Sequence, residues 1–218
     1  MRLLLALLTS IALFGCATGP VHLPVENLAA SAKAPIEDMR PKNEGEREIF
    51  SLMITSDRYG YVRLAQDVTE PTGPRLFAHL LQEANASGTV PPTKLLHFAV
   101  YMNNRSELRT MALGVALGGV LGAVISSGTI TREGEVVHTL VDASTFAALS
   151  GENEYKRAFY TDSELKSGTS AFVIFIESES QGKRRFTRTV SPIKPAQTGQ
   201  KIPMHEALDA AIRFHLNS

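Results

Sequence analysis

Few side chains in this sequence stand at spacings that support catalysis. The six histidines, His22, His79, His97, His138, His205 and His215, form neither H-x-x-x-H nor H-E-x-x-H, the spacings that place two imidazoles on one helix face for zinc. His205 and His215 lie ten residues apart, beside an apolar stripe, and are expected to be solvated. His138, Asp142 and Ser144 have the residue types of a hydrolase triad, but along a strand they would succeed one another instead of converging. GTSAF (168–172) and SSGTI (126–130) lack the second glycine of a nucleophile elbow. GVALGGVLG (114–122) matches neither a dinucleotide loop nor a phosphate loop. A single cysteine, Cys16, excludes an internal disulfide and a cysteine-based zinc site. No metal and no cofactor are expected, and the chain reads as non-enzymatic.

With 22 basic and 22 acidic residues among 218, the formal charge is zero. That balance removes the electrostatic basis for nucleic-acid binding, which requires a basic surface to meet phosphates. Lys183, Arg184, Arg185 and Arg188 are the only basic cluster, expected at the solvated edge of a hairpin. Apolar residues at 44% and charged ones at 20% describe an ordinary globular composition.

The chemistry that remains is at the N-terminus. MRLLLALLTSIALFGC starts with Arg2, continues through an apolar run and ends on Gly15 and Cys16, the layout of a secretory signal. Its last residues resemble the bacterial lipobox, with Leu13 three before the cysteine and a small residue just before it; Phe14 is bulkier than the pattern favours. The resemblance implies cleavage after residue 15 and acylation of Cys16, including palmitate on its amino group. More than one acyl chain gives stable anchoring, because each buried methylene contributes about 0.8 kcal/mol. Ala17 is not the aspartate of the inner-membrane retention signal. The implied address is the periplasmic face of the bacterial outer membrane, the inner membrane being the alternative.

Residues 16–35 carry Pro20, Pro24 and Pro35 without sustained periodicity and read as a lipidated flexible tether. Residues 36–218 are expected to form one α+β domain with a small mixed or antiparallel sheet. A strand pair is expected around Asp57. A helix should follow Pro74, with Leu76, Phe77, Leu80 and Leu81 on one face. Further strands are expected over 93–102, 135–143, 169–178 and 184–193. The last two form a hairpin whose loop is expected to exceed two residues. A C-terminal helix carries Met204, Leu208, Ile212 and Leu216 at four-residue intervals. A lipobox, a proline-bearing tether and then IEDMRP, with Asp38 and Arg40 before Pro41, is similar to the YajG-like outer-membrane lipoproteins. That resemblance implies an envelope address and a small α+β fold. The long glycine-rich insert departs from it.

That insert, NRSELRTMALGVALGGVLGAVISSG, is predicted to be helical over about residues 105–127, with Asn104 and Glu107 as a capping-box variant and Gly128 as a terminator. Gly114, Gly118 and Gly122 form a bare stripe, with Gly119 on a second small-residue row. Each glycine costs a helix about 1 kcal/mol relative to alanine, so a close backbone neighbour is expected. Three partners stand open: the domain's own sheet, another chain or the membrane face, and a bilayer that the run would span. Its length of about 25 Å is short of the roughly 30 Å hydrocarbon core. The function expected is that of a lipid-anchored envelope accessory or assembly protein. The alternatives are a membrane-inserting or self-associating oligomer, partnering its own copies or another envelope protein, and a lipid- or glycan-binding module.

Overall fold

The run AFVIFI at 171–176 has no polar residue, so a strand built from it must be covered on both faces. The computed structural model describes residues 20–28, 36–42, 45, 47–54, 57–86, 88–104, 135–148, 171–193 and 202–218, and it places this run at the centre of a sheet. In chain order the elements are β1 (Val21–His22), β2 (Ile36–Asp38), β3 (Arg47–Ile54), β4 (Asp57–Arg63), β5 (Thr69–Glu70), α1 (Gly73–Ala84), β6 (Thr93–Asn104), β7 (Val137–Leu140), α2 (Ala143–Ala148), β8 (Ala171–Ser180), β9 (Lys183–Pro192) and α3 (Pro203–Asn217). The class is α+β.

The main sheet runs β3-β4-β6-β8-β9-β7 with every neighbouring pair antiparallel. β6 is 12 residues long, and its outer edge is divided. β4 pairs with Tyr101–Asn104, and the short β2 pairs in parallel with Thr93–Leu95. A register shift between Leu95 and His97 falls beside this division. β1 and β5 form a separate parallel pair.

β8 shows why two layers of cover are needed. Phe172, Ile174 and Ile176 enter one core with Leu95, Phe98 and Met102 of β6, beneath α1 and α3. Val173 and Phe175 enter a second core on the opposite face with Tyr101, Phe186 and Val190, and Phe146 of α2 packs there. Phe146 meets the Phe186 ring at 5.0 Å and the Phe175 ring at 6.2 Å. α1 buries Leu76, Phe77, Leu80 and Leu81, as their shared face predicts; each such side chain contributes about 1.5–3 kcal/mol. α3 buries Met204, Leu208 and Ile212 in the same layer.

Three expectations require correction. Val21–His22 pairs with Thr69–Glu70 and Leu23 is buried, so packing begins well before residue 36, within the stretch read as tether. An apolar Leu23 supplied the burial that prolines alone would have denied. The β8–β9 loop is only two residues, Gln181 and Gly182, at φ 51° and 73°. Both are left-handed, which matches the twist of the flanking strands; a glutamine in that role is not an obvious turn signal. Finally, Arg188 is buried, with its guanidinium 6.0 Å from the Phe175 ring centroid. Its position on β9 faces the second core, so only the turn end of the basic cluster is solvated.

Gly73 opens α1 directly against the core. A β-carbon there would stand 2.8 Å from Cε1 of Phe98, whose ring is buried. Gly73→Ala is expected to destabilise the fold by about 1–3 kcal/mol through overpacking, read as a lower denaturant midpoint at unchanged slope. Gly88→Ala, with open space around the new methyl, is the control and should leave the midpoint nearly unmoved.

Candidate functional site

The helices α1 and α3 end at the same pole of the sheet as the β8–β9 turn. Between them lies an open groove of about 800 Å³, bounded by Leu81 and Asn85 of α1, Leu216 of α3, Leu140 of β7 and the turn. This is the size of a small-molecule or oligomer subsite. Its cationic side is formed by Lys183, Arg184 and Arg185. Leu140 stands on the rim at 62% exposure, the most exposed large apolar side chain among the described residues.

Behind the groove a histidine clasp joins helix to sheet. His215 is fully buried; its Nε2 lies 2.7 Å from Ser178 Oγ on β8, and its Nδ1 lies 2.6 Å from Thr187 Oγ1 on β9. A neutral ring donates at one nitrogen and accepts at the other, so both hydroxyls are matched. Burial, with a smaller contribution from the charge of Arg185, pushes the His215 pKa down to about 3. Arg185 in turn donates Nη1 to the carbonyls of His215 and Leu216, at 2.7 and 3.1 Å, closing the C-terminus of α3.

The Ser178–His215 contact has the length of a nucleophile–base pair, but its surroundings oppose that chemistry. Thr187, not a carboxylate, holds the second nitrogen, so no anion stabilises an imidazolium. A general base works best with a pKa near the ambient pH, far above the value here. Ser178 is also 94% buried, with 6% of its surface exposed. The clasp therefore serves packing, and His205 and His215, expected to be solvated, are both buried. They follow the stripe after all: His205 precedes Leu208 by three, and His215 follows Ile212 by three. That spacing was the available signal.

The other sequence candidates disperse. His138 Nδ1 lies 2.9 Å from Thr189 Oγ1, and its ring stacks on Phe214 at 4.5 Å; burial holds its pKa below the usual range. Asp142 instead caps α2, accepting the Thr145 amide at 2.8 Å and the hydroxyls of Ser144 and Thr145. These bonds depress its carboxyl pKa strongly. His138, Asp142 and Ser144 are thus not assembled into a triad. In the Asp38-x-Arg40 element, burial raises the Asp38 pKa, but the hydrogen bonds and charge of Arg40 outweigh it and leave the carboxyl below its usual value. Arg40 donates Nε and Nη2 to the two carboxylate oxygens at 2.9 and 3.0 Å, a bidentate fork. Its Nη1 is buried with no hydrogen-bond partner among the described residues.

Cys16 and the stripe Gly114, Gly118, Gly119 and Gly122 lie outside the described residues. Among the described residues no helix is long and apolar enough to cross a membrane. Nor does any group of three or more His, Cys, Asp or Glu side chains among them stand close enough to hold a metal ion.

The clasp makes stability depend on pH. His215 titrates near 6.5 when unfolded and near 3 when folded, so between those values the unfolded chain binds the extra proton. Stability is then full above about pH 6.5 and falls as pH drops, at up to about 1.4 kcal/mol per pH unit. Urea midpoints measured from pH 4.5 to 7, above the main carboxylate range, should show this slope. His215→Gln should lower the midpoint at pH 7 and flatten most of the slope, leaving the smaller part due to His138; equal slopes in both proteins would rule the clasp out as its source.

No family model, curated protein or solved structure matches this chain.

Proposed function

We propose that this protein is a lipid-anchored component of the bacterial cell envelope that works by binding, with Cys16 as its point of attachment and its domain facing the periplasm from the outer membrane. The observation that carries the binding role is the 800 Å³ groove, which combines solvated cations with apolar and hydroxyl-bearing walls. Such a mixture orients and holds a ligand. The anchor is supported by the sequence alone: the only cysteine of the chain stands where a lipobox requires it, after a basic residue and an apolar run.

The fold supports this division of labour. Val21, five residues beyond Cys16, is already hydrogen-bonded into the domain through the Val68 carbonyl at 2.9 Å. The leash between lipid and domain is therefore short. Five residue steps span at most about 18 Å when extended, so the domain is held beside the bilayer.

Labelled palmitate supplied to cells expressing the protein should enter the full chain and co-migrate with it in the membrane fraction. Cys16→Ser should lose the label completely and shift the protein to the soluble periplasmic fraction or leave it as uncleaved precursor. A Cys16→Ser chain that still takes up label would overturn the assignment.

A further inference from the structure

The groove has a direction as well as a composition. β1 joins β5, which leads through Pro71 into the N-terminus of α1, while the groove lies at the C-terminus of α1 beside Leu81 and Asn85. The 12 residues of α1 separate these poles by about 18 Å at 1.5 Å per residue. The chain enters the domain at one pole, and the groove opens at the other.

The charged side chains free to meet a ligand are cationic donors. The Lys183 side chain is exposed and makes no hydrogen bond or ion pair among the described residues. Arg185 spends only Nη1 on the α3 carbonyls, which leaves Nε and Nη2. Gln181 adds an exposed amide on the same turn. The acids nearby are already engaged: Asp142 caps α2, and Glu177 and Glu179 pair with Arg184 at 3.1 and 3.7 Å. The helix ends that would attract cations are closed too, by Arg185 at α3 and by Asn85 Nδ2 on the Leu81 carbonyl at 2.8 Å. A surplus of cationic donors calls for a carboxylate-like acceptor.

The walls choose between a lipid and a sugar chain. An acyl tail needs a continuous apolar channel, and here Leu81, Leu140 and Leu216 share the lining with Asn85, Thr93 and Ser180. A lining that mixes apolar and hydroxyl-bearing side chains suits rings that present C–H faces and hydroxyl edges. We propose that this groove binds a carboxylate-bearing glycan chain on the side of the domain turned away from the anchoring membrane. The inference rests on the binding role proposed above, and takes only its direction from the anchor.

The test uses the full chain in non-ionic detergent micelles, sedimented with purified peptidoglycan sacculi, an insoluble glycan mesh whose chains bear free carboxylates on their peptide stems. The wild-type chain should pellet with the mesh, and about 0.5 M salt should release it because exposed charges are screened at that strength. Lys183→Glu should weaken binding at least about tenfold, or 1.4 kcal/mol. Lys94→Glu, the same charge change on the opposite face of the sheet, should leave it intact, and circular dichroism would confirm that both variants are folded. Amidation of the mesh carboxylates should abolish binding. The proposal is overturned by no sedimentation, by equal binding to the amidated mesh, by equal effects of the two variants, or by displacement from the mesh when phosphatidylglycerol is added to the micelles. Palmitate labelling reads the anchor separately: label without mesh binding refutes the groove ligand alone, and mesh binding without label refutes the anchor alone.

Discussion

Everything in this domain is arranged around the need to cover β8 twice. Alternate residues of an isolated strand usually divide into a wet face and a dry one, but 171–176 offers apolar side chains to both. Burying only one set would leave Val173 and Phe175 in water. The chain answers with two helices over Phe172, Ile174 and Ile176 and with α2 and its Phe146 over the other side. β6 and β9, the neighbours of β8, inherit the same demand, and Tyr101, Met102 and Val190 are buried accordingly.

The layer of α1 and α3 is pinned at one end by groups that are not apolar. Ser178, Thr187 and His215 tie β8, β9 and α3 together, and Arg185 closes the last turn of that helix. A buried neutral imidazole flanked by two hydroxyls is satisfied by donating to one and accepting from the other. It therefore fixes the angle and register of α3 more narrowly than leucine packing would. The exposed ion pairs Arg213–Glu83 and Arg184–Glu179 add little by comparison, since water and salt screen them. The clasp also explains why the groove exists: it holds the helix ends level with the β8–β9 turn, and the space between them stays open.

Much of the architecture is legible in residue order. The apolar face of α1, the four-residue rhythm of α3 and the β-rich runs of β6, β8 and β9 identify their elements, because periodicity records which side must be dry. Single side chains are less legible. His215 and Arg188 carry polar labels that point to solvent, yet their places in the pattern put them in the interior. Gln181 takes a left-handed conformation that its type does not advertise. Leu23 draws a proline-rich stretch into the core.

The sequence by itself determined the longer strands and helices, β3, β4, β6, β8, β9, α1 and α3, and it marked Cys16 as the one residue with a specific chemical destiny to test. Tertiary structure alone decided that Lys183, Arg185, Leu81, Leu140 and Leu216 border one groove, and that Ser178, Thr187 and His215 meet. The reason is distance along the chain. Periodicity is a local property, set by backbone geometry over a few residues, whereas the clasp joins positions 28 and 37 residues apart and the Arg213–Glu83 pair joins positions 130 apart. Only the packing of whole elements against a doubly buried strand brings such positions together.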